Sequence, residues 1–316
     1  MSIEKRLPNA AIARAFTKTQ ISAIREYFAK SGDLDGLLVG TNGSYARGEA
    51  SAQSDLDFFV ICKNPNQVEG AKRALKEVAP KLIKIAGRNP STDGAFGHVE
   101  DIPTILTNIG GNDDLNQKIT RRVLLLLEGE WLNDQAMLME CRASLLERYI
   151  RPKMTSHQLA LFLLNDIIRY YRTVCVDFEF KTVEDDKDWG IRNIKLVFSR
   201  KLLYFSGVLA VAETMQRSRE EKLRLLQELF SIPVIDRVIK ICGDSAFHSL
   251  ELYDSFLREM ASDVIRHDLE KTKEGDRTTE PFRRLKDEGH HFSWRLMSLF
   301  RQTYDISHPI HRLIFL

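Results

Sequence analysis

Cysteine is scarce in this sequence: Cys62, Cys141, Cys175 and Cys242 are the four in 316 residues, and none forms a Cys-x-x-Cys pair. This spacing argues against a zinc ribbon or a disulfide framework and predicts a reducing, cytoplasmic compartment. Long apolar runs are missing as well. Val123 to Leu127 is among the longest, far below the roughly 20 residues of a membrane-spanning helix. Met1 to Arg14 mixes charges without an apolar core, so no signal peptide is expected. Nor is there an excess of one charge. Lys and Arg number 46 against 44 Asp and Glu, a formal +2, which argues against a nucleic-acid coat or a membrane-surface protein. A P-loop, a Gly-x-Gly-x-x-Gly turn after a strand, a Ser-His-Asp set and internal repeats are all lacking.

What the chain does have is 43% hydrophobic residues, enough for one large domain or two ordinary ones. Ile21, Ile24 and Phe28 recur at helical spacing and predict a helix over Thr17 to Lys30. Leu37 to Gly40 reads as a strand, then a glycine turn, then a second strand over Leu56 to Cys62. Val68 to Ala79 reads as a helix that Pro80 ends or kinks. Phe96 to Val99 is a candidate third strand. After Gly110-Gly111 the spacing turns helical, with Asp113 or Asp114 as cap of a helix over Leu115 to Gly129. Further helices are expected over 133–149, 156–178, 189–214, 218–230 and 232–261. Lys271 to Pro281 is charged and reads as an exposed loop. The expected architecture is α+β: a small mixed-sheet head, residues 1–130, followed by a larger α-helical domain, residues 131–316.

The segment that points to chemistry is Gly43-Ser44-Tyr45-Ala46-Arg47-Gly48-Glu49, continued by Ser54-Asp55-Leu56-Asp57. Alternate residues of a strand share a face, so Asp55 and Asp57 point one way while Leu56 and Phe58 point into the core. Two neighbouring carboxylates repel unless a cation lies between them. They suit Mg²⁺ or Mn²⁺, hard ions that share oxygen ligands with substrate phosphates. Two such ions about 4 Å apart activate an attacking oxygen and stabilise a leaving pyrophosphate. Gly43 permits close backbone approach, and free N–H groups with the Ser44 hydroxyl suit a phosphate. Arg47 either contacts the triphosphate or pairs with an acidic neighbour.

The same residues resemble the signature of the DNA polymerase beta superfamily of nucleotidyltransferases. The likeness is greatest to the minimal nucleotidyltransferases and to the uridylyltransferase of the PII signal protein, and it covers about the first third of the chain. It implies that Gly43 and Ser44 bind a nucleoside triphosphate and that Asp55 and Asp57 bind the metal ions. It also implies a third carboxylate on a later strand. Asp93, ahead of Gly94-Ala95-Phe96-Gly97-His98, is the first candidate, with Glu100 and Asp101 as alternatives. The expected reaction moves a nucleoside monophosphate to a protein or RNA acceptor, with release of pyrophosphate. Should the third carboxylate be lacking, a nucleotide-sensing or protein-binding regulator is the other reading.

A second segment, Lys187 to Lys195, places Arg192 and Lys195 on one helix face, apart from a stripe of Ile191, Ile194 and Phe198. It faintly resembles a stretch following the catalytic domain in the uridylyltransferase group. That face either turns toward the triphosphate or is a solvated basic surface. Arg169-Tyr170-Tyr171-Arg172 either stacks on a base or pairs with acids. His290-His291 has no further ligand at metal spacing and reads as helix surface. Arg301 and His308 loosely fit an arginine–histidine pair of a ribonuclease domain, a spacing that chance often produces.

Overall fold

The computed structural model describes residues 3–31, 34, 36–87, 99–184 and 187–314. The chain packs into two units. One comprises Ile12–Met154 and Arg219–Pro233; the other comprises Met1–Ala11, Thr155–Ser218 and Val234–Leu316.

A short helix α1 (Ile3–Arg6) precedes α2 (Pro8–Ser31), which begins nine residues earlier than its apolar spacing suggests. Two causes extend it. Pro8 sits where a helix needs no N–H, and the following Ala-rich stretch favours helix. The Asp254 carboxylate also accepts from the Ala10 N–H at 2.7 Å, satisfying one of the first-turn donors. Strand β1 (Leu37–Thr41) leads into a five-residue helix α3 (Gly43–Arg47), and β2 (Phe58–Cys62) follows. Helix α4 (Val68–Ala86) continues past Pro80, which therefore does not end it. Lys76 and Pro80 are both exposed, so water can serve the carbonyl that proline leaves unbonded.

Next come β3 (Val99–Asp101), α5 (Ile102–Leu106), α6 (Asn116–Leu127), β4 (Glu130–Trp131) and α7 (Gln135–Tyr149). Residues 96–98 of the expected third strand lie outside the described residues. Neither Asp113 nor Asp114 caps α6; Leu115 holds that position. Asp114 is instead buried in a double ion pair with Arg122, at 2.7 and 3.0 Å.

Four strands form one mixed sheet in the order β3-β2-β1-β4. β1 is antiparallel to β2 and β4, while β2 is parallel to β3. β4 lies at residue 130, so the sheet takes in chain on both sides of the boundary drawn from the sequence. One sheet face carries Val39, Leu56, Phe58 and Val60 against Ile21, Ile24 and Phe28 of α2 and Leu82 of α4.

The rest is helical: α8 (Leu161–Val183), α9 (Trp189–Lys195), α10 (Lys201–Ala212), α11 (Arg219–Phe230), α12 (Val234–Cys242), α13 (Ala246–Ala261), α14 (Asp263–Lys271), α15 (Glu280–Thr303) and α16 (Ile310–Leu313). A π-helical turn over 196–200 joins α9 to α10. The helix expected over 232–261 is broken at Gly243, whose φ of +61° leaves the helical region. The fold is α+β, a small sheet near the N-terminus followed by a mostly helical region. No described helix is long and apolar enough to cross a membrane.

Candidate active site

The Asp-x-Asp pair sits just ahead of β2 rather than inside it. Thr41 and Phe58 are the last paired residues of β1 and β2. One step further, the Asn42 N–H donates to the Asp57 carbonyl at 2.9 Å and the Thr41 hydroxyl donates to it at 2.6 Å. These bonds extend the strand pairing and fix the backbone of Asp57 beside the glycine turn. Leu56 and Phe58 are buried, while Asp55 and Asp57 remain partly exposed, the alternation that strand geometry requires. The loop before them is ordered by its own contacts. Ala50 donates its N–H to Thr17 of α2 at 2.9 Å, and Ser51 donates to the Ser54 hydroxyl oxygen at 3.0 Å.

Gly43 opens α3 with a φ of +73°, and a β-carbon added there would lie 2.8 Å from Asp57 Oδ2. No other residue fits both demands, since a side chain at this φ is strained and would also collide with the carboxylate. Ser44 follows, half-buried. Tyr45 packs into the core below and donates to the Ala86 carbonyl at 3.3 Å. Burial, with a contribution from the charge of Asp55, pushes its phenol up to about 12. Asp55 makes no hydrogen bond or ion pair among the described residues.

Arg47 takes the second of its two expected roles. Its Nε donates to Glu49 at 2.7 Å and its Nη1 to Glu128 at 2.6 Å, with all three side chains buried. The other oxygen of Glu128 accepts from the Gly43 N–H at 2.8 Å. That N–H is thus committed to a carboxylate of the protein. Glu128 was not singled out by the sequence. Its signal was faint: an acidic residue closing the apolar run Val123 to Leu127, and a buried arginine in need of a partner. It stands at the C-terminal cap of α6. Arg142 holds this helix end by donating to the carbonyls of Leu125, at 2.9 Å, and Gly129.

The alternatives for a third carboxylate are engaged elsewhere. Glu100 pairs with Ile61 across β3 and β2, four residues beyond Asp57, which is about 13 Å along a strand. Its carboxylate is ion-paired with Arg121. Asp101 caps α5, accepting from the Thr104 N–H at 2.9 Å and from its hydroxyl at 2.8 Å. Asp93 lies outside the described residues. Among the described residues no three His, Cys, Asp or Glu side chains are grouped to hold a metal ion. A small, mainly apolar cavity adjoins the sheet, lined by Phe59, Ile61, Leu124, Arg121, Glu100 and Asn42. The Asn42 Oδ1 is buried there without a hydrogen-bond partner.

Arg192 and Lys195 belong to the helical unit, on α9, where the stripe of Ile191, Ile194 and Phe198 is buried as its spacing predicts. Arg169 pairs with Asp166 at 2.8 Å, Tyr170 is buried, and Tyr171 stacks on Tyr204 with ring centroids 4.7 Å apart. Arg169, Tyr170 and Tyr171 are therefore engaged within the helical unit, while Arg172 is exposed. His290 and His291 are exposed on α15.

A family model described as a nucleotidyltransferase domain matches residues 21–92. The matched stretch contains Gly43, Ser44, Asp55 and Asp57, the residues that carried the resemblance. It runs from α2 through β1, α3 and β2 to just beyond α4, and leaves out β3 and β4. No curated protein matches the chain.

Proposed function

We propose, starting from the nucleotidyltransferase domain of residues 21–92, that this chain moves a nucleoside monophosphate from a nucleoside triphosphate to a protein or RNA acceptor. One observation supports this most: the bare α-carbon of Gly43 lies against the Asp57 carboxylate, so the turn and the acidic pair form one site. A triphosphate can approach the backbone here because no side chain intervenes. The Ser44 hydroxyl is placed to donate to a phosphate oxygen.

The donor set fits a divalent cation. Asp55 and Asp57 offer hard oxygen ligands, both reach solvent, and Asp55 has no competing partner among the described residues. Mg²⁺ or Mn²⁺ held by them would supply charge neutralisation for the phosphates and the departing pyrophosphate. The protein contributes rigidity. Glu128 and Arg47 lock the turn from beneath, so the phosphate-facing groups need little reorganisation. Asp93 is assigned the acceptor-side carboxylate, to orient the attacking hydroxyl.

The test is incorporation of label from α-³²P-labelled triphosphates in the presence of Mg²⁺ or Mn²⁺ and a fractionated lysate. Label should pass to protein or RNA and pyrophosphate should accumulate. Equal labelling by the Asp55→Ala, Asp57→Ala double variant would discard the mechanism. Triphosphate binding without any turnover would favour the regulator reading.

A further inference from the structure

The helical unit contains a cavity of about 380 Å³ between the end of α8, α9 and the start of α15. That volume falls in the range of small-molecule sites, about 300–1,000 Å³. All its lining residues belong to this one unit. One wall is aromatic: Trp189 lies 4.9 Å from Phe282 and 6.3 Å from Phe178, centroid to centroid. The rim carries Arg277, whose guanidinium lies 5.5 Å from the Trp189 ring centroid, and Lys286.

Lys286 is half-buried, yet its ammonium donates only to the neutral Asn193 Oδ1, at 2.7 Å. Lys201 is also partly buried and donates to the Ser293 hydroxyl oxygen. Neither ammonium has a carboxylate within ion-pair distance among the described residues. The carboxylates that line the cavity do not meet this need. Glu274 is paired with Arg277 at 2.5 Å, and Glu179 and Asp287 make no ion pair with Lys286. Burial and the neighbouring positive charge depress both lysines, Arg277 acting on Lys286 and Lys286 on Lys201. Lys286, a half-buried cation at the cavity wall with the exposed Arg277 beside it on the rim and Lys201 behind it, offers a favourable place for an anion.

We propose that this cavity binds a nucleotide unit, its phosphate held by Lys286 and Arg277 and its ring set against the wall of Trp189 and Phe178. Phosphate supplies the missing negative charge, and a flat base suits aromatic and guanidinium surfaces. The unit is either a free nucleotide or one residue of an RNA strand. As a statement about the acceptor the idea rests on the transferase reading; as a binding site it does not.

The experiment is calorimetric titration of the 316-residue protein in EDTA, which silences a metal-dependent donor site. The probes are a nucleoside monophosphate, a 12-nucleotide single-stranded RNA and an acidic peptide. Both nucleic probes should bind, and Lys286→Gln or Arg277→Gln should weaken them about tenfold or more, the worth of one charge-assisted hydrogen bond. RNA binding much tighter than the monophosphate assigns the strand; equal binding assigns the free nucleotide. Arg277 is exposed, so its variant decides the matter even if Lys286→Gln misfolds. No metal-free binding, binding unchanged in the Arg277→Gln variant, or equal affinity for the acidic peptide would overturn the proposal. Metal-free binding with no Mg²⁺-dependent labelling would sink the transferase reading and leave this site standing; the converse result would sink only this site.

Discussion

The carboxylate of Glu128 accepts a hydrogen bond from the backbone N–H of Gly43 at 2.8 Å while its other oxygen holds Arg47. Eighty-five residues apart in sequence, the two fix the glycine turn to the end of α6. The turn is therefore braced from the protein side before any ligand arrives.

Removing that brace should be costly. Glu128→Ala leaves the Arg47 guanidinium without one of its buried partners and the Gly43 N–H without its acceptor. We expect a loss of about 3–5 kcal/mol, the usual range for breaking a buried pair. Glu128→Gln keeps an acceptor for the N–H and should lose less. Urea unfolding followed by circular dichroism gives both values. Equal stability of Glu128→Ala and wild type would show that the brace is dispensable.

Gly43 and Gly48 offer a matched comparison. Both have positive φ, +73° and +71°, but only Gly43 has a carboxylate oxygen in the way of a β-carbon; Gly48 faces open space. Gly48→Ala should cost only the left-handed backbone, about 1–2 kcal/mol, and keep its labelling activity. Gly43→Ala carries the same backbone cost and also displaces Asp57, so labelling should fall by about a hundredfold, as when reacting groups are misplaced by an ångström. Parallel activity in the two variants would refute the proposed role of the Gly43–Asp57 contact.

Asp55→Asn and Asp57→Asn should each abolish activity. Asp55→Asn removes one of two neighbouring negative charges, so its metal-free melting temperature should stay level or rise. Mg²⁺ should raise the melting temperature of the wild type, because a ligand that binds the folded state stabilises it, and should not raise that of either variant. Differential scanning fluorimetry with and without Mg²⁺ reads both effects. A Mg²⁺ shift that survives both substitutions would place the metal elsewhere.

The buried thiol of Cys141 gives a pH prediction. Burial, assisted by nearby Glu140 and Asp134, pushes it from 9.0 up to about 12. The folded state therefore keeps its proton to a higher pH than the unfolded chain. The associated stability is complete below about pH 9 and is lost as pH rises from 9 toward 12. Cys141→Ser or Cys141→Ala should flatten that alkaline fall. In native protein at pH 8, iodoacetamide should modify Cys141 more slowly than the half-buried Cys175, as mass spectrometry of tryptic peptides would reveal. Rapid native modification of Cys141 would contradict the assignment.

Much of the local structure is legible in the chain alone. Short apolar runs placed the strands around Leu37–Thr41 and Phe58–Cys62, which are buried on both faces, and helical spacing placed the helices of the second half, because burial of one helix face leaves a regular mark on the chain. Gly43, Ser44, Asp55 and Asp57 stood out in the chain because they lie within one short stretch, although the acidic pair precedes β2 rather than lying inside it. Tertiary packing decided the rest. It started α2 at Pro8, where the distant Asp254 supplies a partner, and it carried α4 through Pro80 where water can reach the freed carbonyl. It gave Arg47 to Glu49 and Glu128, paired Glu100 with Arg121 and made Asp101 the cap of α5. Some of these partners are far apart in the chain, Gly43 and Glu128 by 85 residues, and no local pattern encodes which buried charge will meet which. The glycine turn and its acidic pair were written in the chain; the carboxylate that holds the turn in place exists only once the chain has folded.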